Sequence, residues 1–265
     1  MVASPLAPPA RFAWRLDDDG VSSRLEFGDG LAEIDGVLVR GTAWLDPTGW
    51  APEDHAYMQA EMLAATLAWL AGLQCPVVNR PSAALWYRDR ASLLTWRRAL
   101  RRCGLTTPEQ VVTNDPAAAR AFGRRLEGAG LAGAVYSPLT SDANYLVATP
   151  AAWQSLTDLQ ERAPVCVSEP HGATLPACVV GGRVVWDDGA TPETLALEAR
   201  LIRLASSTGL DFLEVVTAPL RSGPGVVMVE PMPVLEHFTP AARSRILDAL
   251  ADLLVPVGAG TEAIR

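Results

Sequence analysis

One device occurs four times in this chain and constrains the fold more than any other feature. An Asp or Thr precedes a proline at the head of an apolar-periodic stretch, at Asp115-Pro116, Thr149-Pro150, Thr191-Pro192 and Thr239-Pro240. The side-chain oxygen of such a residue accepts a free N–H of the first helical turn. Proline, with no N–H and a preset φ, loses nothing at the first helical position. Helices are therefore predicted over 116–128, 150–160, 192–208 and 240–254. Between them lie short apolar segments of strand length at Gln110–Thr113, Ala134–Tyr136, Tyr145–Val147, Val165–Ser168, Ala177–Val180, Val184–Trp186, Phe212–Thr217 and Val226–Glu230. Gly181-Gly182 joins one pair as a hairpin, and Ser222-Gly223-Pro224-Gly225 joins another. Helices interleaved with hairpins predict α+β layers rather than a doubly wound parallel sheet.

The first third reads less regularly. Strands are expected at Arg24–Phe27 and Ile34–Arg40, separated by Gly-Asp-Gly turn chemistry. A helix follows from Pro52 to Leu73, with Met58, Met62, Ala65 and Trp69 at three- and four-residue steps. Cys75–Asn79 reads as a short buried strand. Ala91–Cys103 reads as a basic amphipathic helix ended by Gly104.

Charge and residue usage exclude several functions. The 265-residue chain carries a net charge of −8, which disfavours binding nucleic acid through phosphate neutralisation. All 22 basic residues are arginine. A chain without lysine has no Schiff base and no Walker-type phosphate lysine. The longest apolar run, Met62–Leu73, is too short to span a bilayer, and no membrane partner is expected. The start has no basic segment leading into a long apolar one, so no signal peptide is read. Cys75, Cys103, Cys166 and Cys178 form no C-x-x-C pair and read as buried thiols of a cytoplasmic protein.

Six pieces then follow in order: Cys75-Pro-Val-Val-Asn-Arg-Pro81, Cys103-Gly-Leu-Thr-Thr-Pro108 with Val111-Val-Thr-Asn-Asp-Pro116, Val135-Tyr-Ser-Pro-Leu139, Val167-Ser-Glu-Pro170, Val179-Val-Gly-Gly-Arg-Val-Val185, and Ser207-Thr-Gly-Leu-Asp-Phe212 with Val227-Met-Val-Glu-Pro-Met-Pro233. Together they resemble the ATP-grasp superfamily, in the branch of the ribosomal-protein glutamate ligase and the microviridin-type peptide ligases. The resemblance implies an α+β ATP-grasp-like fold: a short pre-ATP-grasp-like α/β domain over 1–88, a small subdomain over 89–170 and a C-terminal core over 171–265. It implies ATP and Mg²⁺ as the family's cofactors, and activation of a carboxylate for attack by an amine.

Residue by residue, the resemblance also implies loss. The second phosphate lysine falls on Ser137, and the first falls within Arg90–Leu93, where Arg90 is the cation. Glu169 lies on the hinge strand beside the nucleotide. Pro176 stands where the family has an arginine. Val216 stands at the metal-binding Asp, Met228 at the Glu and Glu230 at the Asn, leaving Glu230 as the one remaining metal carboxylate. This reading predicts a degenerate ATP-grasp protein, without ATP or Mg²⁺, that binds a peptide or a partner enzyme in a peptide or natural-product pathway. A homo- or heterodimer is one form of such binding. The alternative is an active carboxylate–amine ligase with a rewired site, using ATP, Mg²⁺, Arg90, Glu169 and Glu230.

Other candidates stand outside these motifs. Trp86 beside Arg88 and Arg90 offers, if exposed, an aromatic–arginine surface of the kind found at interface hot spots, while Arg97 and Arg101, with Arg98 and Arg102, form either the solvated polar face of their helix or a docking face for an acidic peptide or partner. His171, near Cys166 and Cys178, fits no zinc spacing and reads as a loop residue. Glu230, Glu236 and His237 could form a local acid–base group, but a solvated loop ahead of a helix is the favoured reading. His55 with Glu53 and Asp54 reads as a charged helix start.

Overall fold

The computed structural model describes residues 11–17, 20–27, 30–32, 34–39, 46–81, 93–139 and 143–255. Three strands come first as a meander: β1 (Arg11–Asp17), β2 (Gly20–Phe27) and β3 (Gly30–Ala32). The sequence reading has no strand at β1, although the large apolar residues Phe12, Trp14 and Leu16 recur at the two-residue period of a half-buried strand. The strand expected at Ile34–Arg40 shrinks to β4 (Val37–Leu38), which pairs in parallel with β5 (Val77–Val78); Arg40 lies outside the described residues. Helix α1 (Pro52–Gly72) covers this pair, burying Trp69, Leu70 and Leu73 against Val39 and Val77. No basic residue stands in its last turn, but Arg80 returns from beyond β5 and donates to the carbonyls of Leu70, Ala71 and Leu73. It so satisfies a helix end whose carbonyls have no intrahelical partner.

The basic helix is α2 (Leu93–Arg102). A small antiparallel sheet follows, in the order β6-β9-β7-β8, from β6 (Gln110–Thr113), β7 (Ala134–Ser137), β8 (Tyr145–Val147) and β9 (Val165–Ser168). Helices α3 (Pro116–Gly128) and α4 (Pro150–Gln160) pack on one face, where Phe122, Leu126 and Leu156 bury Ala134, Val147, Val165 and Val167. Side chains alternate across a strand, so Val112, Cys166 and Ser137 lie side by side on the other face.

The larger sheet has the order β11-β10-β12-β13: β10 (Leu175–Val180), β11 (Arg183–Trp186), β12 (Phe212–Leu220) and β13 (Gly223–Glu230). One face buries Ala177, Val179, Leu213, Val215 and Val229 under α2 and α6 (Glu198–Thr208), through Trp96, Leu100, Leu201 and Leu204. The opposite face carries Cys178, Val180 and Phe212 under α7 (Pro240–Leu254), through Ala242, Ile246 and Leu250. The α+β expectation holds: β4–β5 is parallel, and every other described pairing is antiparallel.

Two local expectations are corrected. The helix predicted over 192–208 is two helices, α5 (Pro192–Leu195) and α6, because Leu197 and Arg200 donate to carbonyls only three residues back and tighten the turn between them. The second hairpin turns at Arg221-Ser222, and the Gly-Pro-Gly segment belongs to β13, with Pro219 facing Pro224 near its tip.

Candidate functional site

The register of the larger sheet brings three widely separated residues together. Pro176 on β10 pairs with Val216 on β12, and Val216 pairs with Met228 on β13. These are the positions where the ATP-grasp resemblance places an arginine and two metal-binding carboxylates. The row they form holds a pyrrolidine ring, an isopropyl group and a thioether. Mg²⁺ requires hard oxygen ligands, so these side chains do not fit it. Among the described residues no group of three or more His, Cys, Asp or Glu is arranged to hold a metal ion.

The next row on the same face, about 7 Å along the strands, is Cys178, Glu214 and Glu230. Glu214 is wholly buried. A buried carboxylate must be paired, and this one has two partners. His237 Nδ1 lies 2.8 Å from Oε1, and the Val234 amide donates to Oε2 at 2.8 Å. Residues Leu235–His237 form a single 3₁₀ turn that carries the imidazole to the carboxylate, with 46% of the His237 side chain still exposed. Burial pushes the Cys178 thiol up, and the neighbouring Glu214 pushes it further.

The acid–base group considered from sequence is thus corrected in its members. His237 pairs with Glu214, 23 residues upstream, while Glu236 is exposed. Glu230 caps its own turn through the Met232 amide at 2.9 Å. Nor is the segment a solvated loop, because its histidine is fixed by a buried charge. Glu214 escaped the sequence reading, although a lone carboxylate inside the apolar run Phe212–Val216 signals a buried partner.

Beside this site stands Asn79, the residue that follows β5, at φ 55° and 4% exposed. Its Nδ2 donates to the carbonyls of Phe212 (2.7 Å) and Pro231 (2.9 Å), and its Oδ1 accepts from the amides of Asp211 (3.1 Å) and Phe212 (2.9 Å). One amide side chain therefore fastens the N-terminal unit to the start of β12 and the end of β13.

The other predicted site residues are dispersed. Ser137 sits on β7 and donates to Asn144 Oδ1 at 2.6 Å. Glu169 follows β9, buried, with its amide bonded to the Glu109 carbonyl. His171 Nδ1 lies 3.0 Å from the carbonyl of its neighbour Gly172. Arg97, Arg98, Arg101 and Arg102 are exposed along α2. Trp86 and Arg90 lie outside the described residues.

No family model and no curated protein matches this chain. Solved structures do. The macrocyclase MdnC from Microcystis aeruginosa MRC, bound with precursor peptide MdnA, superposes with a TM-score of 0.69 at 18% identity, covering 95% of this chain and 88% of that one. The ATP-grasp ligase PsnB, complexed with precursor peptide PsnA2 and AMPPNP, gives 0.68 at 18% identity over 93% and 86%. A RimK domain protein ATP-grasp from Sphaerobacter thermophilus DSM 20745 gives 0.52 at 22% identity over 72% and 76%. The chain has the ATP-grasp fold.

Proposed function

We propose that this chain is a degenerate ATP-grasp protein that binds a peptide, or a partner enzyme, in a peptide or natural-product biosynthetic pathway. The observation that carries the reading is the Pro176–Val216–Met228 row: three positions that should bear charge lie adjacent, and none does. Ser137 adds a fourth, since its hydroxyl is engaged by Asn144. The peptide half of the reading is supported by MdnC and PsnB, both solved with precursor peptides. Four free cysteines, three of them buried, agree with a cytoplasmic setting. Among the described residues no helix is long and apolar enough to cross a membrane.

The test is thermal stability with and without ATP·Mg²⁺. A ligand at about a hundred times its Kd stabilises the folded state by about 2.7 kcal/mol, which in a chain of 265 residues raises Tm by about 5–10 °C. The degenerate reading expects no shift. A shift of that size overturns it in favour of a rewired ligase built on Arg90, Glu169 and Glu230, the reading favoured by the Glu214–Glu230 pair one row away. ADP release with a precursor peptide would then follow.

A further inference from the structure

Helix α2 presents two arginine pairs, each one turn apart, Arg97 with Arg101 and Arg98 with Arg102. All four are exposed, and among the described residues none donates a hydrogen bond or joins an ion pair. They border a concavity of about 600 Å³ with Leu94 among its lining. The opposite side of α2 is occupied, with Trp96 and Leu100 sealed into the core of the larger sheet. The arginine face is therefore held rigidly outward.

Leu94, half-buried, stands on the same face, so cationic and apolar groups share one surface.

The charge around it decides what it takes. Four of the 22 arginines fall within six residues, leaving 18 cationic against 30 acidic residues elsewhere. An acidic partner is repelled by the rest of the molecule and attracted here. Nucleic acid is disfavoured, because four cations neutralise few phosphates while the remaining surface repels the others.

We propose that the α2 arginine face, with Leu94 beside it, is the docking surface for an acidic peptide segment whose carboxylates pair with Arg97, Arg98, Arg101 and Arg102 and whose apolar side chains cover Leu94. Planar guanidinium groups suit carboxylates, which they bind in bidentate fashion. This rests on the peptide-binding half of the proposed function and is independent of its nucleotide half.

The experiment is fluorescence anisotropy with a labelled short peptide of glutamate and leucine, compared with its glutamine copy. The expected results are binding of the glutamate peptide alone, a decline in affinity with salt, and a loss of about tenfold or more in Arg97→Glu/Arg101→Glu with its melting curve unchanged. Arg98→Glu/Arg102→Glu gives a second, independent reading of the same face. Affinity equal to that of the native chain in both charge-reversed proteins overturns the proposal. So does tighter binding of single-stranded DNA than of the peptide, or self-association of the native chain that the reversals abolish. A Tm rise with ATP·Mg²⁺ alongside intact peptide binding would sink the nucleotide half of the proposed function and leave this surface standing.

Discussion

Replacing Asn79 tests how the N-terminal unit is held to the larger sheet. Asn79→Ala removes four hydrogen bonds at 2.7–3.1 Å in a site that is 4% exposed. Each is worth about 1 kcal/mol net, so their loss costs about 4 kcal/mol. A φ of 55°, tolerated by asparagine but strained for alanine, adds about 1 kcal/mol. The sum, about 5 kcal/mol, is comparable with the whole stability of many domains. Urea denaturation followed by circular dichroism measures it, and limited proteolysis shows whether α1 is released before the sheet unfolds. Asn79→Asp refines the test. It keeps the left-handed preference and the acceptor but turns a carboxylate onto the carbonyls of Phe212 and Pro231. It should destabilise as much as alanine at neutral pH and recover on acidification, when the new carboxyl can donate. A loss below about 1 kcal/mol in Asn79→Ala would refute the reasoning, because four buried partners would then have been re-satisfied at no cost.

Three further perturbations are informative. His237→Ala strands the buried Glu214 carboxylate and should cost about 3 kcal/mol, while Glu214→Gln/His237→Ala, read by the same denaturation, should be the more stable of the two variants. The Asp187 carboxyl is raised by desolvation but lowered more by the Thr239 hydroxyl and amide, and its net shift is downward. It therefore contributes stability above its unfolded pKa of about 3.9 and loses it as pH falls through the lower folded value; Thr239→Val should flatten the Tm-versus-pH curve across that acid range. Val216→Asp/Met228→Glu restores two oxygen ligands to one row, and its Tm should rise with Mg²⁺, where the native chain's does not.

The helices were legible because their signals are local. Asp115, Thr149, Thr191 and Thr239 each accept a first-turn amide, as their position before proline requires. The break between α5 and α6 was not legible, because Thr191 and Thr194 close a reciprocal capping box on a single turn, a pairing that helical periodicity does not reveal. The site was half legible. A carboxylate in the middle of β12 announces that it has a partner, but His237 is fixed by the path of the chain through β13 and a 3₁₀ turn, which spacing in sequence does not encode. Asn79 is the same case at greater range, with partners more than 130 residues away.

Strand register bears directly on the proposed loss of metal chemistry. Pro176, Val216 and Met228 come from three segments separated in sequence, of which the last two are joined by a hairpin. A slip of one residue in any strand would have thrown its side chain onto the opposite face. Instead the pairings Pro176–Val216 and Val216–Met228 set all three in one line on one face. The same register explains why the remaining carboxylates do not replace them. Glu214 is bonded to His237 and the Val234 amide, and Glu230 is turned to the amide of Met232. Both carboxylates are employed in holding the loop that follows β13. A ligase restored by mutation would need new oxygens in the apolar row rather than a reorientation of these two.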